Sequence, residues 1–263
     1  MSDDGNVIGR WKGRNEKKDA LRTEVWTHLD EHDIAVGEPY SRIPNFVGAE
    51  QAAERLAELD IWKNADVVKC NPDPPQIPVR LRALQEGKLL YAPVPELVKD
   101  FPFVELDPED LRRRGIPFEE VAPSEGFLKH GRKVNFEDMK PFDLVIVGCV
   151  AVTRKGGRTG KGGGFADLEL GIFRDMNLVE SNTPVVTTVH STQVVDNERI
   201  VMVDHDTPLD WIITEEEVIN TETPYPEPEG VNWEGVETDQ YNNIPFLKNL
   251  RDKLSAESSS NND

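Results

Sequence analysis

The sequence predicts a single α/β domain built on a mostly parallel sheet, and three observations carry that reading. Residues 143–152 form the longest apolar run of the chain and are rich in β-branched side chains, as expected of a strand buried on both faces. Residues 65–93 read as strand, helix, strand, the unit that joins parallel neighbours through a right-handed crossover. The ten residues from Arg158 to Asp167 hold four glycines, two cations and a closing carboxylate, and an amphipathic pattern follows them. A strand, a glycine loop and a helix in that order form the kind of unit at which open α/β sheets bind ligands.

The remaining elements follow in order. Residues 1–14 are expected to be disordered, and the domain to occupy residues 15–221. Over residues 17–32, Leu21, Val25, Trp26 and Leu29 recur at helical spacing, which leaves Lys18 and Arg22 four apart on a neighbouring face. Taken alone, that pair favours a solvated face over a binding one. A second helix spans residues 49–59, with Ala52, Leu56 and Leu59 inward. The strand over 65–70 runs into the turn cluster Asn71, Pro72, Asp73, Pro74, Pro75. Pro78 opens a helix carrying Val79, Leu81 and Leu84, Gly87 caps it, and residues 88–93 return as a strand. Asp107 and Pro108 start a short helix that Gly115 ends. Residues 116–140, with few periodic apolar positions, are expected to be loops over one edge of the cleft. Strands at 185–189, 200–203 and 211–213 complete the sheet. Beyond residue 221 the composition turns to Pro, Glu, Asn and Gly. An extension over 222–254 is expected to pack back through Trp233, Phe246, Leu247 and Leu250, helical over 244–254, before a disordered tail at 255–263.

The glycine stretch suggests a phosphate cradle. Glycine admits positive φ and close approach, so that successive N–H groups can face an anion, while Arg158 and Lys161 add charge. Asp167 then falls in the first helical turn, where the dipole favours a carboxylate and where a phosphate-bound metal could also be held. A flexible linker fits the glycines locally, but the preceding strand favours the cradle. It is not a Walker A loop, since no Gly-Lys-Ser/Thr follows at the required spacing.

Acids outnumber bases by 49 to 30, giving a formal net charge of −19. That charge disfavours nucleic acid and anionic membranes as partners and resembles surfaces adapted to concentrated salt, as in halophilic archaea. No stretch is apolar enough to span a bilayer and the amino terminus lacks a signal peptide's apolar segment, so a cytoplasmic monomer is expected. Cys70 and Cys149 lie far apart without metal-ligand spacing and read as buried thiols.

The loop resembles that of the 5-formyltetrahydrofolate cyclo-ligase (methenyltetrahydrofolate synthetase) family, whose pattern is Arg-x-Gly-x-Gly-x-Gly-Tyr-Tyr-Asp. Arg158, Gly160, Gly162, Gly164 and Asp167 match it. Lys18, Leu21 and Arg22 resemble the family's Lys-x-x-Leu-Arg signature, and Gln193, His205, Asp206, Thr214 and Glu215 resemble later elements in the same order. The likeness covers about residues 15–221. Phe165 and Ala166 stand where the family has paired tyrosines, which is most like its divergent, domain-containing branch.

The resemblance implies a three-layer α/β/α fold of the NagB/RpiA/CoA transferase kind. It also implies ATP-driven closure of 5-formyltetrahydrofolate, or a related pterin, to the methenyl form, with ATP and Mg²⁺ as cofactors. Under it, Lys18, Arg22, Arg158 and Lys161 neutralise phosphates, Arg158 and Lys161 catalytically, and Gly160, Gly162, Gly163 and Gly164 cradle them beside Phe165. Asp167 and Asp206 would hold Mg²⁺, although each also fits a local role, at a helix start and in a turn before Pro208. Asp73, or secondarily Gln76, takes the place of the family's folate-binding Glu.

Overall fold

In the computed structural model, which describes residues 9–260, Asn15 caps α1 (Glu16–Glu31) by accepting the Lys18 amide at 3.0 Å. Two further helices, α2 (Ala49–Ala57) and α3 (Asp60–Lys63), lead into β1 (Val67–Cys70), α4 (Ile77–Gln85) and β2 (Leu89–Pro93). Val67 pairs with Leu89 in parallel register, as the strand–helix–strand reading requires. Then come β3 (Phe103–Leu106), α5 (Pro108–Arg113), α6 (Phe118–Val121), α7 (Ser124–His130) and β4 (Arg132–Val134). The Asp107 carboxylate caps α5 by accepting the Glu109 amide at 2.8 Å. The second half contains β5 (Leu144–Ile146), β6 (Ala151–Thr153), β7 (Arg158–Thr159), α8 (Phe165–Asp175), β8 (Val185–Thr188) and β9 (Val194–Val195). It closes with β10 (Trp211–Ile213), β11 (Val218–Asn220), α9 (Thr238–Asn243) and α10 (Leu247–Ser260).

The main sheet runs β11-β10-β8-β5-β1-β2-β3-β4, and β10, β8, β5, β1 and β2 are parallel. Antiparallel β11, β3 and β4 finish its edges. One face is covered by α2, α4, α6 and α7, through Ala52, Leu56, Val79, Leu84, Val121 and Phe127. The other carries α8 and the C-terminal helices, through Leu170, Phe173, Leu247 and Leu250. Three layers result, because the central strands are apolar on both faces. A small second sheet, β7-β6-β9, packs against α1 through Leu21, Val25 and Val150. No helix of the described residues is long and apolar enough to cross a membrane.

The structure corrects several expectations. The apolar run at 143–152 is two strands rather than one: β5 belongs to the main sheet and β6 to the small one. The chain changes sheet at Gly148, where a Cβ would lie 2.9 Å from Asp73 Oδ2 and 3.0 Å from the Ile43 side chain. Gln193 bridges the break, donating to the carbonyls of Cys149 and Val150 at 3.2 and 2.9 Å. Residues 116–140 are not loops over the cleft. They form α6, α7 and edge strand β4, elements too short to display a period. Residues 200–203 form no strand, since β10 is already flanked by β8 and β11; Ile200 is buried and Val201 and Val203 are exposed. Leu81 and Leu59 are only half-buried, and Arg80 and Ala83 take the inward places on α4. Near the amino end, residues 9–14 are described and Trp11 is buried, while residues 1–8 lie outside the described part. At the other end α10 continues to Ser260, through most of the stretch expected to be disordered; residues 261–263 lie outside the described part.

Candidate nucleotide site

Beyond the carboxyl ends of β1 and β5 lies a cavity of about 320 Å³, walled by α1, the loop after β1, the glycine loop, the 203–206 turn and the C-terminal extension. Its floor depends on buried cations. Arg80, fully buried on α4, donates to the carbonyls of Asn71, Pro72 and Asp73, the last two at 3.2 Å each, and so fixes the turn that presents Asp73. Lys69 on β1 is fully buried as well. Its Nζ donates to Asn71 Oδ1 at 2.5 Å and lies 2.7 Å from Glu169 Oε2 on α8. Burial pushes the Glu169 carboxyl upward, against the pull of Lys69. This pair ties the sheet to the helix that follows the glycine loop.

The glycine loop joins β7 to α8, so a β-hairpin, β6 to β7, stands between the buried strand and the loop. Gly162 has φ +107° and Gly164 φ +69°, conformations that side chains disfavour, and Gly164 is the N-cap of α8. The loop carbonyls are held from outside. Arg22 Nε donates to Gly160 O at 2.6 Å, and Arg14 Nη1 donates to Gly163 O at 3.0 Å, joined by Gln240 Nε2 at 3.0 Å. Among the described residues, the amides of Lys161, Gly162, Gly163 and Gly164 donate to no protein acceptor. Peptide planarity points each amide away from the carbonyl that precedes it, so pinning Gly160 O and Gly163 O turns the amides of Lys161 and Gly164 away from those donors.

The cations expected around the loop all line the cavity. Arg158, buried at the start of the loop, donates through Nε to Thr207 O at 2.8 Å and through Nη2 to the Asp167 carboxylate. Burial works against its charge, but Asp167, Cys149 and Asp206 nearby together hold the guanidinium above its ordinary pKa. Lys18 Nζ donates to Asp206, and Arg22 Nη1 to Asp19 at 2.5 Å. Burial lowers the pKa of Arg22, with Asp19 and Asp206 opposing. Arg22 thus acts first as a clamp on the loop. Lys161 reaches across to Asp73, 3.9 Å away, and lies 5.5 Å from the centre of the Trp11 ring. Phe165 meets Trp11 edge-on at 5.9 Å.

Asp167 and Asp206 each use one oxygen for protein contacts. Asp167 Oδ1 takes Arg158 and the Thr207 amide, and Asp206 Oδ2 takes Lys18 and the Val203 amide. The other oxygen of each makes no protein hydrogen bond among the described residues. No group of three or more His, Cys, Asp or Glu among those residues is arranged to hold a metal ion. Such a donor set suits an ion shared with phosphates, as magnesium usually is, and does not suit a protein-only cage. Burial raises the Asp73 carboxyl, with Lys161 pulling the other way. Gln76 does not line the cavity; it is fully buried and donates to Thr188 Oγ1 at 3.3 Å. His205 is exposed at the rim. Both thiols are buried, and burial pushes Cys70 up to about 11 and raises Cys149 as well.

Sequence reasoning missed Arg14, Trp11, Lys69, Arg80, Glu169 and Gln240. An isolated Trp in a charged, glycine-rich segment was the one usable signal. The others act through contacts between distant segments.

Comparison with known proteins adds three findings. The 5-formyltetrahydrofolate cyclo-ligase family model matches residues 14–215. The chain is 39% identical over 238 residues to a methenyltetrahydrofolate synthase domain-containing protein of Mus musculus, covering 90% of this chain and 63% of that protein. The corresponding protein of Homo sapiens is 36% identical over 236 residues, with 89% and 61% covered. The chain therefore spans about three-fifths of the length of these relatives. An NMR structure of Aquifex aeolicus 5,10-methenyltetrahydrofolate synthetase shares the fold, with a TM-score of 0.51 at 21% identity, covering 80% of this chain and 95% of that one.

Proposed function

Because the chain belongs to the 5-formyltetrahydrofolate cyclo-ligase family, we propose that it binds ATP at the glycine loop and uses it to convert 5-formyltetrahydrofolate, or a closely related reduced pterin, to the 5,10-methenyl form. The observation that carries this reading is the row of loop amides from Lys161 to Gly164 without protein acceptors, placed among Lys18, Arg22, Arg158 and Lys161.

The chemistry explains why such a site suffices. A formyl oxygen leaves poorly as hydroxide. It attacks the γ-phosphorus of ATP, the bond from that phosphorus to the β–γ bridging oxygen breaks, and ADP departs. The neighbouring folate amine then attacks the formyl carbon, the carbon–oxygen bond breaks with loss of phosphate, and the amine proton passes to solvent. The protein's task is to align the two molecules and to balance charge. Lys161 and Arg158 face the transferred group, the loop amides hold the phosphate oxygens, and Asp73 faces the pterin across the cavity. Asp167 and Asp206 would hold the magnesium ion that accompanies ATP, whose chemistry is to neutralise phosphate charge.

A second reading, a nucleotide- or folate-binding regulator without turnover, is favoured by one feature. Phe165 and Ala166 give the loop an aromatic face without a hydroxyl. The test is to incubate the protein in high salt with ATP, Mg²⁺ and 5-formyltetrahydrofolate and follow the near-ultraviolet absorbance of the methenyl product. Product formation supports the cyclo-ligase. ATP binding without product selects the regulator.

A further inference from the structure

The extension that follows the last strand walls the cavity through Val231, Asn232, Val236 and Gln240, although it lies beyond residue 215, where the family match ends. Two contacts seat it on α8. At Gly171 a Cβ would come within 3.0 Å of Val231 N and Cα, so the absence of a side chain lets the backbones touch. Asp175 Oδ2 accepts the Val231 amide at 3.1 Å. A third contact reaches the glycine loop itself. Gln240 is buried, and its Nε2 donates to Gly163 O at 3.0 Å. The same oxygen accepts from Arg14 at 3.0 Å, and Arg14 is held in turn by Asp239 at 2.5 Å.

In a planar trans peptide the C=O and the following N–H point in opposite directions. Fixing Gly163 O therefore fixes the Gly164 N–H, at the residue whose φ of +69° starts α8. We propose that Gln240 is a positioning residue of the nucleotide site, holding the Gly163–Gly164 peptide so that its N–H serves the phosphates. This proposal rests on the ATP reading above. The two ends of the Gln240 amide have separate partners, since Oε1 accepts the Glu237 amide at 2.9 Å and so caps α9. Substitutions can therefore separate capping from loop positioning.

The experiment measures binding of ATP, and of inorganic tripolyphosphate, to the full chain by calorimetry, together with the melting temperature of the ligand-free protein. Gln240→Met, which is neutral and lacks the donor, is expected to weaken both ligands about tenfold. Gln240→Glu keeps the oxygen that caps α9 but sets a carboxylate oxygen against Gly163 O, and is expected to weaken both ligands at least as much, its charge adding to the loss. Should Gln240→Met lower the melting temperature, its affinity for adenosine, which carries no phosphate, decides the matter: wild-type adenosine affinity beside weakened phosphate binding supports positioning, and equal weakening of all three ligands overturns it. Wild-type affinity in both variants overturns the positioning role and leaves the ATP reading standing. A wild-type protein that binds neither ligand overturns both.

Discussion

Arg158 and Asp167, nine residues apart in sequence, close the glycine loop on itself through a guanidinium–carboxylate hydrogen bond. Arg158 is almost wholly enclosed and also donates to Thr207 O, so it joins the start of the loop, the first turn of α8 and the 203–207 turn. Arg158→Ala leaves the Asp167 carboxylate without its cation in a largely dry setting, and is expected to cost about 3–5 kcal/mol of stability and to weaken ATP binding. Asp167→Asn keeps an oxygen for the Thr207 amide and should cost about 1–2 kcal/mol. Urea unfolding of the two variants distinguishes these values; equal losses would contradict the role given to Arg158.

Backbone geometry makes the loop glycines unequal. An alanine Cβ at Gly160 meets nothing within 4 Å, whereas at Gly162 it lies 3.2 Å from Trp11 Cβ on a backbone with φ +107°. Gly160→Ala is expected to change stability by about 0.5 kcal/mol or less, and Gly162→Ala to cost about 1–3 kcal/mol. Thermal unfolding of the two variants side by side checks this, and the order reversed would place the strain elsewhere.

Asp73 sets a pH dependence of definite sign. Burial raises its folded-state pKa above the ordinary 3.8, although Lys161 pulls it down. The folded protein therefore retains this proton longer than the unfolded chain, and stability declines as pH rises from 3.8 through the folded value. Asp73→Asn removes that penalty and eases the neighbouring Glu169, whose pKa Asp73 also raises. The variant is expected to gain stability over wild type at neutral pH, with the gain vanishing in acid, while folate binding weakens. Melting temperatures across the pH range provide the measurement, and a gain that grows in acid would refute it.

Phe165→Tyr restores one hydroxyl to the loop while keeping the ring that meets Trp11 edge-on. It is expected to raise turnover about tenfold if the hydroxyl serves the transition state, with ATP affinity changed by less than about twofold. Steady-state kinetics with separate ATP binding measure the two effects. An unchanged kcat would show that the missing hydroxyl does not limit this site.

The sheet and the glycine loop at the start of a helix were legible because their signals are local. Residues 143–152 declared buried strands, the Asp107-Pro108 cap declared a helix start, and four glycines declared a tight loop leading into a helix. The division of residues 143–152 between two sheets was not legible, because Leu144 and Val152 are equally apolar and only Gly148 marks the crossing. Gln76 looked available beside Asp73, yet the helical turn that opens at Pro74 directs it into the core. The contacts from Arg14 and Gln240 to the loop, and the Asp239 carboxylate that holds Arg14, left no trace in sequence, since each depends on segments that meet only in the folded chain. Lys69 and Glu169 were hidden for the same reason: a lone charge within an apolar run gives no hint of its partner.

The hydrogen bond between Gln240 and Gly163 spans 77 residues. Closing a loop of that length carries an entropic cost that local contacts do not share, and it requires the chain to have been synthesised well past the sheet. This contact on the glycine loop therefore cannot form before the C-terminal extension is present. On the ribosome, a chain with all its strands already exposed still lacks Gln240 and the wall that the C-terminal extension gives the cavity.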